Sequence, residues 1–275
     1  MSARQPNIET PNIEALVIEQ FGEQWTHFTE NPGYYGSREV LDDIFGPLGS
    51  CEELRGKVVA EVGAGSGRLI NILADTGAKH VVAVEPSEAM AVMKENTAHN
   101  KDKITYIQAK GDEWTFRDLD AVISIGVLHH IHDPFPTAKR MFENLKPGGK
   151  CIIWLYGREG NELYLTLFQP LRLLTTKLPH WLLVALSTFM VLPLNIYCAL
   201  CRVLPLPMRN YMLNHIARLD QKARRITIYD QLNPTWAKYY PRAEAEDLLR
   251  KTGFENVQSF HRHGYSWTVT GIRPV

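Results

Sequence analysis

The chain has 275 residues, 45% of them apolar, with 30 basic and 30 acidic side chains. That length supports one large α/β domain with or without a sizeable insertion, folding without disulfide or metal staples; formal neutrality speaks against a surface that coats nucleic acid. Cys51, Cys151, Cys198 and Cys201 make no extracellular framework, and residues 1–12 are polar, carry two prolines and lack the apolar core of a signal peptide, so a cytoplasmic setting is expected.

Residues 1–54 form the first unit, expected to be helical; its Trp25, Tyr34 and Tyr35 either close over a ligand or simply pack. From residue 55 to 159 short β-branched runs alternate with helical patterns. The runs 57–62, 80–85, 103–108, 119–125 and 150–156 are nearly unbroken in apolar character, as strands covered on both faces require. Helix signals lie between them at 68–75, at 87–99 with Ser87 as N-cap, and at 135–145, stopped by Lys146-Pro147-Gly148-Gly149. Alternating elements at this spacing predict a doubly wound, mostly parallel sheet with right-handed crossovers.

The pattern breaks at 160–235, a helical insertion that is apolar and basic. Residues 181–201 run without a charge, about the length that spans a bilayer. A single span would set two parts of one sheet on opposite sides of a membrane, and Pro193 is expected to divide the run into two shorter helices. Residues 163–229 carry eight bases against Asp220 alone, a balance of +7 against −7 for the remainder. The segment is therefore either a packed subdomain or dimer surface, or a lid that binds an apolar acceptor or lies on an anionic membrane with Arg172, Lys177, Arg202, Arg209, Arg224 and Arg225 facing the head groups. Cys198 and Cys201 have metal or redox spacing, but no second Cys or His pair lies nearby, which favours buried thiols and no metal site. Residues 236–275 return to the core: a helix at 242–252 closed by Gly253, then runs 255–261 and 265–272 joined by a turn at Arg262-His263-Gly264, an antiparallel edge pair. His261 and His263 are expected on one face of it, either as a site or as cross-strand packing.

Three strand ends carry ligand chemistry. Glu61-Val62-Gly63-Ala64-Gly65-Ser66-Gly67-Arg68 is a glycine loop between a strand and a helix, where backbone can approach a ligand and free N–H groups attract electronegative atoms. Its spacing is not that of dinucleotide sites. Glu85, with Pro86 after it, ends the second run eighteen residues past Gly67, placed to accept ribose hydroxyls. Gly111-Asp112-Glu113-Trp114 follows the third run and offers a carboxylate for an exocyclic amine and an aromatic for an adenine face. After the fourth run, Gly126-Val127-Leu128-His129-His130 brings imidazoles with the unperturbed pKa of a general base, or residues that support the loop.

The set 61–69, 84–90, 111–114, 125–134 and 145–150 resembles the class I S-adenosylmethionine-dependent methyltransferases, most of all the branch with the ubiquinone and menaquinone enzymes and many acting on small molecules or glycans. The likeness implies a seven-stranded Rossmann-like sheet. It also implies that Gly63, Ala64, Gly65 and Gly67 flank the methionine part of the cofactor, Glu61 its amino group, Glu85 the ribose, and Asp112 and Trp114 the adenine. In many members an aspartate stands where Glu85 does. The expected activity is methyl transfer to a small, apolar or lipid-linked acceptor, with His129 or His130 as base, no nucleic-acid partner, and a peripheral place at the inner face of the membrane. Two readings stay open beside it: a methyltransferase for a soluble metabolite or sugar with the insertion as a homodimer element, and a cofactor-binding scaffold without turnover.

Overall fold

The computed structural model describes residues 13–31 and 33–275, apart from the side chains of residues 167–169, so the expectation for residues 1–12 lies outside it. The seven strands are β1 (Val58–Val62), β2 (His80–Val84), β3 (Ile104–Ile107), β4 (Leu119–Ile125), β5 (Leu145–Tyr156), β6 (Glu255–Arg262) and β7 (Ser266–Ile272). They form one sheet in the order β3-β2-β1-β4-β5-β7-β6. The first five run parallel, and β7 is antiparallel to both β5 and β6. The order reverses between β1 and β4, which opens a crevice beyond the carboxyl ends of those strands, where ligands bind in open α/β sheets.

Before the sheet lie α1 (Ile13–His27) and α2 (Arg38–Phe45). The core helices are α3 (Arg68–Thr76), α4 (Ala89–Asn96) and α5 (Phe135–Asn144). One apolar cluster holds α2, α3 and α4 residues such as Leu41, Leu69 and Met93 against one face. The other face is covered by α5 together with α10 (Arg242–Thr252), through Met141 and Leu249. Burial on both faces explains the unbroken apolar runs. Ser87 Oγ does accept from the Ala89 N–H at 3.2 Å at the start of α4, but regular helix begins only at Ala89.

The segment 146–149, expected as a helix stop, belongs to β5, as does Leu145 before it. Leu145 pairs with Leu119, the ladder bulges, and pairing resumes at Lys150 with Ala121. The bulge persists because the Gly148 N–H donates to the Arg273 carbonyl and the Arg273 N–H to the Gly149 carbonyl, both at 2.9 Å, with Gly148 at φ +76°.

The insertion folds as α6 (Glu162–Thr175), α7 (His180–Val203), α8 (Arg209–Asn214) and α9 (Gln221–Leu232). Pro193 does not divide the apolar run: α7 is one 24-residue helix. Leu183 and Ser187 before the proline and Cys198 and Cys201 after it are buried, so packing holds the helix together on both sides. The carbonyl that loses its bond belongs to exposed Phe189, where solvent can replace the partner. All four cysteines are buried free thiols.

Candidate functional site

A cavity of about 310 Å³ lies at the switch point. Its walls are the ends of successive strands: Glu61 to Ser66 after β1, Val84 to Pro86 after β2, Ala109 to Gly111 after β3, Ile125 to Val127 and His130 after β4, and Trp154 and Tyr156 on β5. Helix α1 contributes Glu14, Val17, Ile18, Phe21 and Trp25, and Tyr35 joins them, so the N-terminal segment roofs the crevice as a lid would; Tyr34 packs beside it.

The glycine loop is locked by its neighbours. The Gly63 and Ala64 N–H groups donate to the Val84 carbonyl at 2.8 and 3.0 Å, and Gly67 at φ +82° opens α3. A Cβ on Gly63, itself at φ +81°, would lie 2.3 Å from a Val127 methyl carbon. This backbone tolerates glycine alone. Gly65 passes beneath Trp25, whose Nε1 would stand 3.0 Å from an added Cβ.

Glu61 is 2% exposed, and its Oε2 has no hydrogen-bond partner among the described residues. Burial pushes its carboxyl up to about 8, and the Glu85 charge pushes the same way, against the pull of the Arg68 guanidinium. Glu85 is also buried, yet anchored: Oε2 accepts from the Gly65 N–H at 2.8 Å, and Oε1 from the Ser87 N–H and hydroxyl at 3.0 and 2.5 Å. It thus ties the second strand end to the glycine loop, while Oε2 keeps a lone pair for a ligand hydroxyl.

The third strand end differs from expectation. Gly111 lines the cavity, but Trp114 is 1% exposed in the core, packed with the cluster of Val62 and Met141, its Nε1 donating to the Gly111 carbonyl at 2.9 Å. The indole therefore offers no face to the cavity. Asp112 and Glu113 are absent from the walls as well: Glu113 points to solvent, and Asp112 is half-buried with its carbonyl held by Arg140.

The tandem histidines separate. His129 stacks on Tyr156 with centroids 3.8 Å apart, is fully buried, and has neither ring nitrogen partnered among the described residues. Burial and the adjacent His130 hold its pKa well below the ordinary value. His130 alone of the two lines the cavity. Its Nδ1 lies 2.9 Å from the Trp236 carbonyl, which only accepts, so Nδ1 carries the proton and buried Nε2, without a partner among the described residues, holds a lone pair. Burial lowers its pKa to about 4, partly offset by Asp230 and the Trp236 carbonyl. Gly126, at φ +81°, completes this wall.

Beyond His130 the cavity continues into residues of the last hairpin and into residues of the insertion that sequence spacing did not single out. Asp230 and Gln231 of α9 reach in from the insertion. Tyr156 donates to Asp230 at 2.7 Å, Gln231 donates to the Tyr156 oxygen at 2.9 Å, and Tyr164 and Tyr239 donate to Gln231 at 2.7 and 3.2 Å. Tyr211, Tyr265, Met208, Met212 and Ile226 supply further apolar wall. Arg262 also lines this part, its guanidinium held by Asp43. His261 and His263 part company: His261 stacks on Trp267, whereas His263, at φ +48° in the turn, leaves the strand alternation and meets Asp43 at 3.0 Å.

Residues 60–153 match the family of the methyltransferase domain. Over 120 residues the chain is 31% identical to an uncharacterized methyltransferase of Mycobacteroides abscessus, covering 41% of this chain and 46% of that protein. Over 118 residues it is 30% identical to a tRNA U34 carboxymethyltransferase of Pseudoalteromonas translucida, covering 42% of this chain and 37% of that protein. The chain thus spans less than half the length of these relatives. Among solved structures, the magnesium protoporphyrin IX methyltransferase of Synechocystis PCC 6803 with bound S-adenosylmethionine superposes with a TM-score of 0.53 at 13% identity, covering 99% of this chain and all of that one. A putative methyltransferase from Haloferax volcanii, solved with the Trm112 activator, gives 0.52 at 14% identity over the whole of both chains. At these identities the structural likeness establishes the fold.

Proposed function

We propose that this chain, of which residues 60–153 match the methyltransferase domain family, is a class I enzyme that moves the methyl group of S-adenosylmethionine to a small, largely apolar acceptor. The observation that carries the reading is the unpartnered carboxylate oxygen of Glu61, buried at the end of β1 beside the glycine loop and facing a cavity that continues into an aromatic compartment. Burial holds the Glu61 pKa up despite the Arg68 guanidinium, so its carboxylate is short of positive charge, and the cofactor's ammonium group would supply it. Gly63, Ala64, Gly65 and Gly67 would flank the methionine part, Glu85 the ribose, and Pro86 and Gly111 the base. The cofactor supplies a sulfonium-bound methyl that an acceptor takes by in-line displacement. The protein's share is orientation, exclusion of water by α1 and the insertion, and removal of the acceptor's proton where it has one. His130 Nε2 is the atom placed to take that proton, and the Asp230 carboxylate lies close enough to favour the cation that results.

The aromatic wall fits the quinone, small-molecule and glycan branch that the motif set resembles. A nucleic-acid acceptor is the second reading, favoured by the activity of the tRNA-modifying relatives. Against it stand the formal neutrality of the chain and the use of several insertion bases within the fold. Incubation with radiolabelled S-adenosylmethionine and panels of lipid, quinone, sugar and tRNA acceptors tests the proposal. Label transfer to a small apolar acceptor is expected; transfer to tRNA alone would replace it with the second reading, and tight cofactor binding without transfer to any acceptor would leave a binding scaffold.

A further inference from the structure

We propose that α7 docks on the surface of an anionic lipid bilayer, lying along it with its outward face in the interfacial layer, a contact independent of methyl transfer. The helix buries little of itself: Trp181, Phe189, Leu192, Ile196, Leu200 and Val203 are all exposed, Phe189 at 75% and Val203 at 77%. They recur every three to four residues where the spacing is tightest and so follow one face of the helix over roughly 30 Å. Single exposed leucines are ordinary on soluble proteins, but a continuous stripe of this length marks an interaction surface.

The charges around it select the partner. No acidic residue stands between Glu162 and Asp220. Most insertion bases are occupied: Arg218 pairs with Glu39, Lys222 with Glu30 at 2.6 Å, Arg172 donates to the Pro234 carbonyl, Arg224 to the Ile216 and Ala217 carbonyls, and Arg225 lies over the Phe28 ring. Lys177 and Arg202 are left exposed with no partner for their charges among the described residues, while Arg209, also exposed, donates to the Cys201 carbonyl at 2.7 Å. Lys177 precedes α7, Arg202 sits in its last turn, and Arg209 opens α8. An apolar face with cations at both ends matches acyl chains bordered by anionic head groups. A second copy docked by a two-fold axis would bring these cations together with no acid from residues 163–219 to receive them. A span is excluded by the fold, because the inner face of α7 is packed through Leu183 and Cys201, and β7 returns to pair with β5.

Flotation of the whole chain with vesicles of phosphatidylcholine, alone or with phosphatidylglycerol, at low and high salt tests the proposal. The protein is expected to float with the anionic vesicles and less with the neutral ones. Phe189→Asp with Leu192→Asp should lower the partition by about tenfold or more on both, since aspartate is costly in an apolar layer. Lys177→Glu and Arg202→Glu should each lower it by about fivefold or more on anionic vesicles at low salt only. Circular dichroism shows that the variants fold, and calorimetric binding of S-adenosylmethionine on the same samples keeps the fate of the methyl-transfer reading separate. Wild-type protein that stays unbound with both vesicles, or a double aspartate variant that floats as well as wild type, would overturn the docking. Light scattering that shows a dimer dissolved by the aspartates, with no flotation, would assign the face to a second copy instead.

Discussion

Glu61 and Glu85 bring two buried carboxyl groups to one loop, and only Glu85 is fully answered by the protein's own N–H and O–H donors. Because the folded, ligand-free protein holds the Glu61 pKa up at about 8, it prefers the neutral form; the stability from that preference is complete below about pH 4.5 and is lost as pH rises through 8. Glu61→Gln, which cannot ionise, should therefore melt with wild type at pH 5 and above it at pH 9. Binding of a cationic cofactor needs the ionised form, so wild-type affinity should climb with pH toward 8 with proton release. The Gln variant should bind roughly tenfold to a hundredfold more weakly at pH 8, and its affinity should not follow this titration. Calorimetry in buffers of different ionisation enthalpy reads both, and wild-type binding without proton release at pH 7 would remove Glu61 from the ammonium site. His130 gives the opposite sign. Its pKa, lowered to about 4, adds stability above pH 6.5 that is lost as pH falls toward 4, and leaves the ring neutral at working pH. His130→Asn should lower kcat by ~10²–10⁴-fold while cofactor Kd changes little. An equal loss of affinity would make the residue a support for the loop.

At the scale of elements, strands and core helices were legible because each needs a local pattern: β-branched runs, glycine at a strand end, Gly253 closing α10 at φ +107°. Gly63, Glu85 and Gly126 reach the site by ending neighbouring strands, so position along the chain sufficed to find them. Asp230 and Gln231 are brought to the cavity by the packing of α9 alone, about seventy residues after β5, and carry no local signal. The side that Trp114 takes is not legible for a related reason: a residue beside a strand end can turn either to the crevice or to the core, and this indole turns to the core. Pro193 failed as a divider because packing on both sides outweighed one lost bond. The positive balance of the insertion divides in the same way. Arg224 donates to two carbonyls near the start of α9 and to Asn195 of α7, joining the two helices, whereas Lys177 touches no acid among the described residues. Arg224→Ala should cost ~1–3 kcal/mol in urea denaturation, while Lys177→Ala stays within about 0.5 kcal/mol. Equal small effects would return Arg224 to the set of free surface cations.

Across the whole molecule, the N-terminal segment and the last hairpin are joined by a charged cluster of residues far apart in the chain. Asp43 of α2 accepts from the Arg262 guanidinium, from Tyr34 at 3.4 Å, and meets His263 Nε2 at 3.0 Å, while Arg262 also donates to His215 at 3.0 Å and to the Tyr265 hydroxyl. Arg262 is 1% exposed, so its charge depends on Asp43 for compensation. Hydrogen bonding from His263 and the Arg262 charge hold the Asp43 carboxyl well below the usual carboxylate range despite its burial. The stability this gives is present above about pH 4 and disappears as pH falls below it. Removing one partner of such a pair strands the other charge, at a cost of ~3–5 kcal/mol, whereas replacing both by apolar groups can be nearly neutral. Asp43→Asn should therefore lower stability by about that amount in urea at pH 7, and Arg262→Met in the same chain should recover much of the loss. Because Arg262 and Tyr265 both line the aromatic compartment, Asp43→Asn should also raise KM for the acceptor while leaving cofactor affinity near wild type. An Asp43→Asn protein within about 1 kcal/mol of wild type would mean that water reaches the guanidinium, and that the segment is held to the sheet edge by apolar packing through Val40, Ile44 and Phe45 instead.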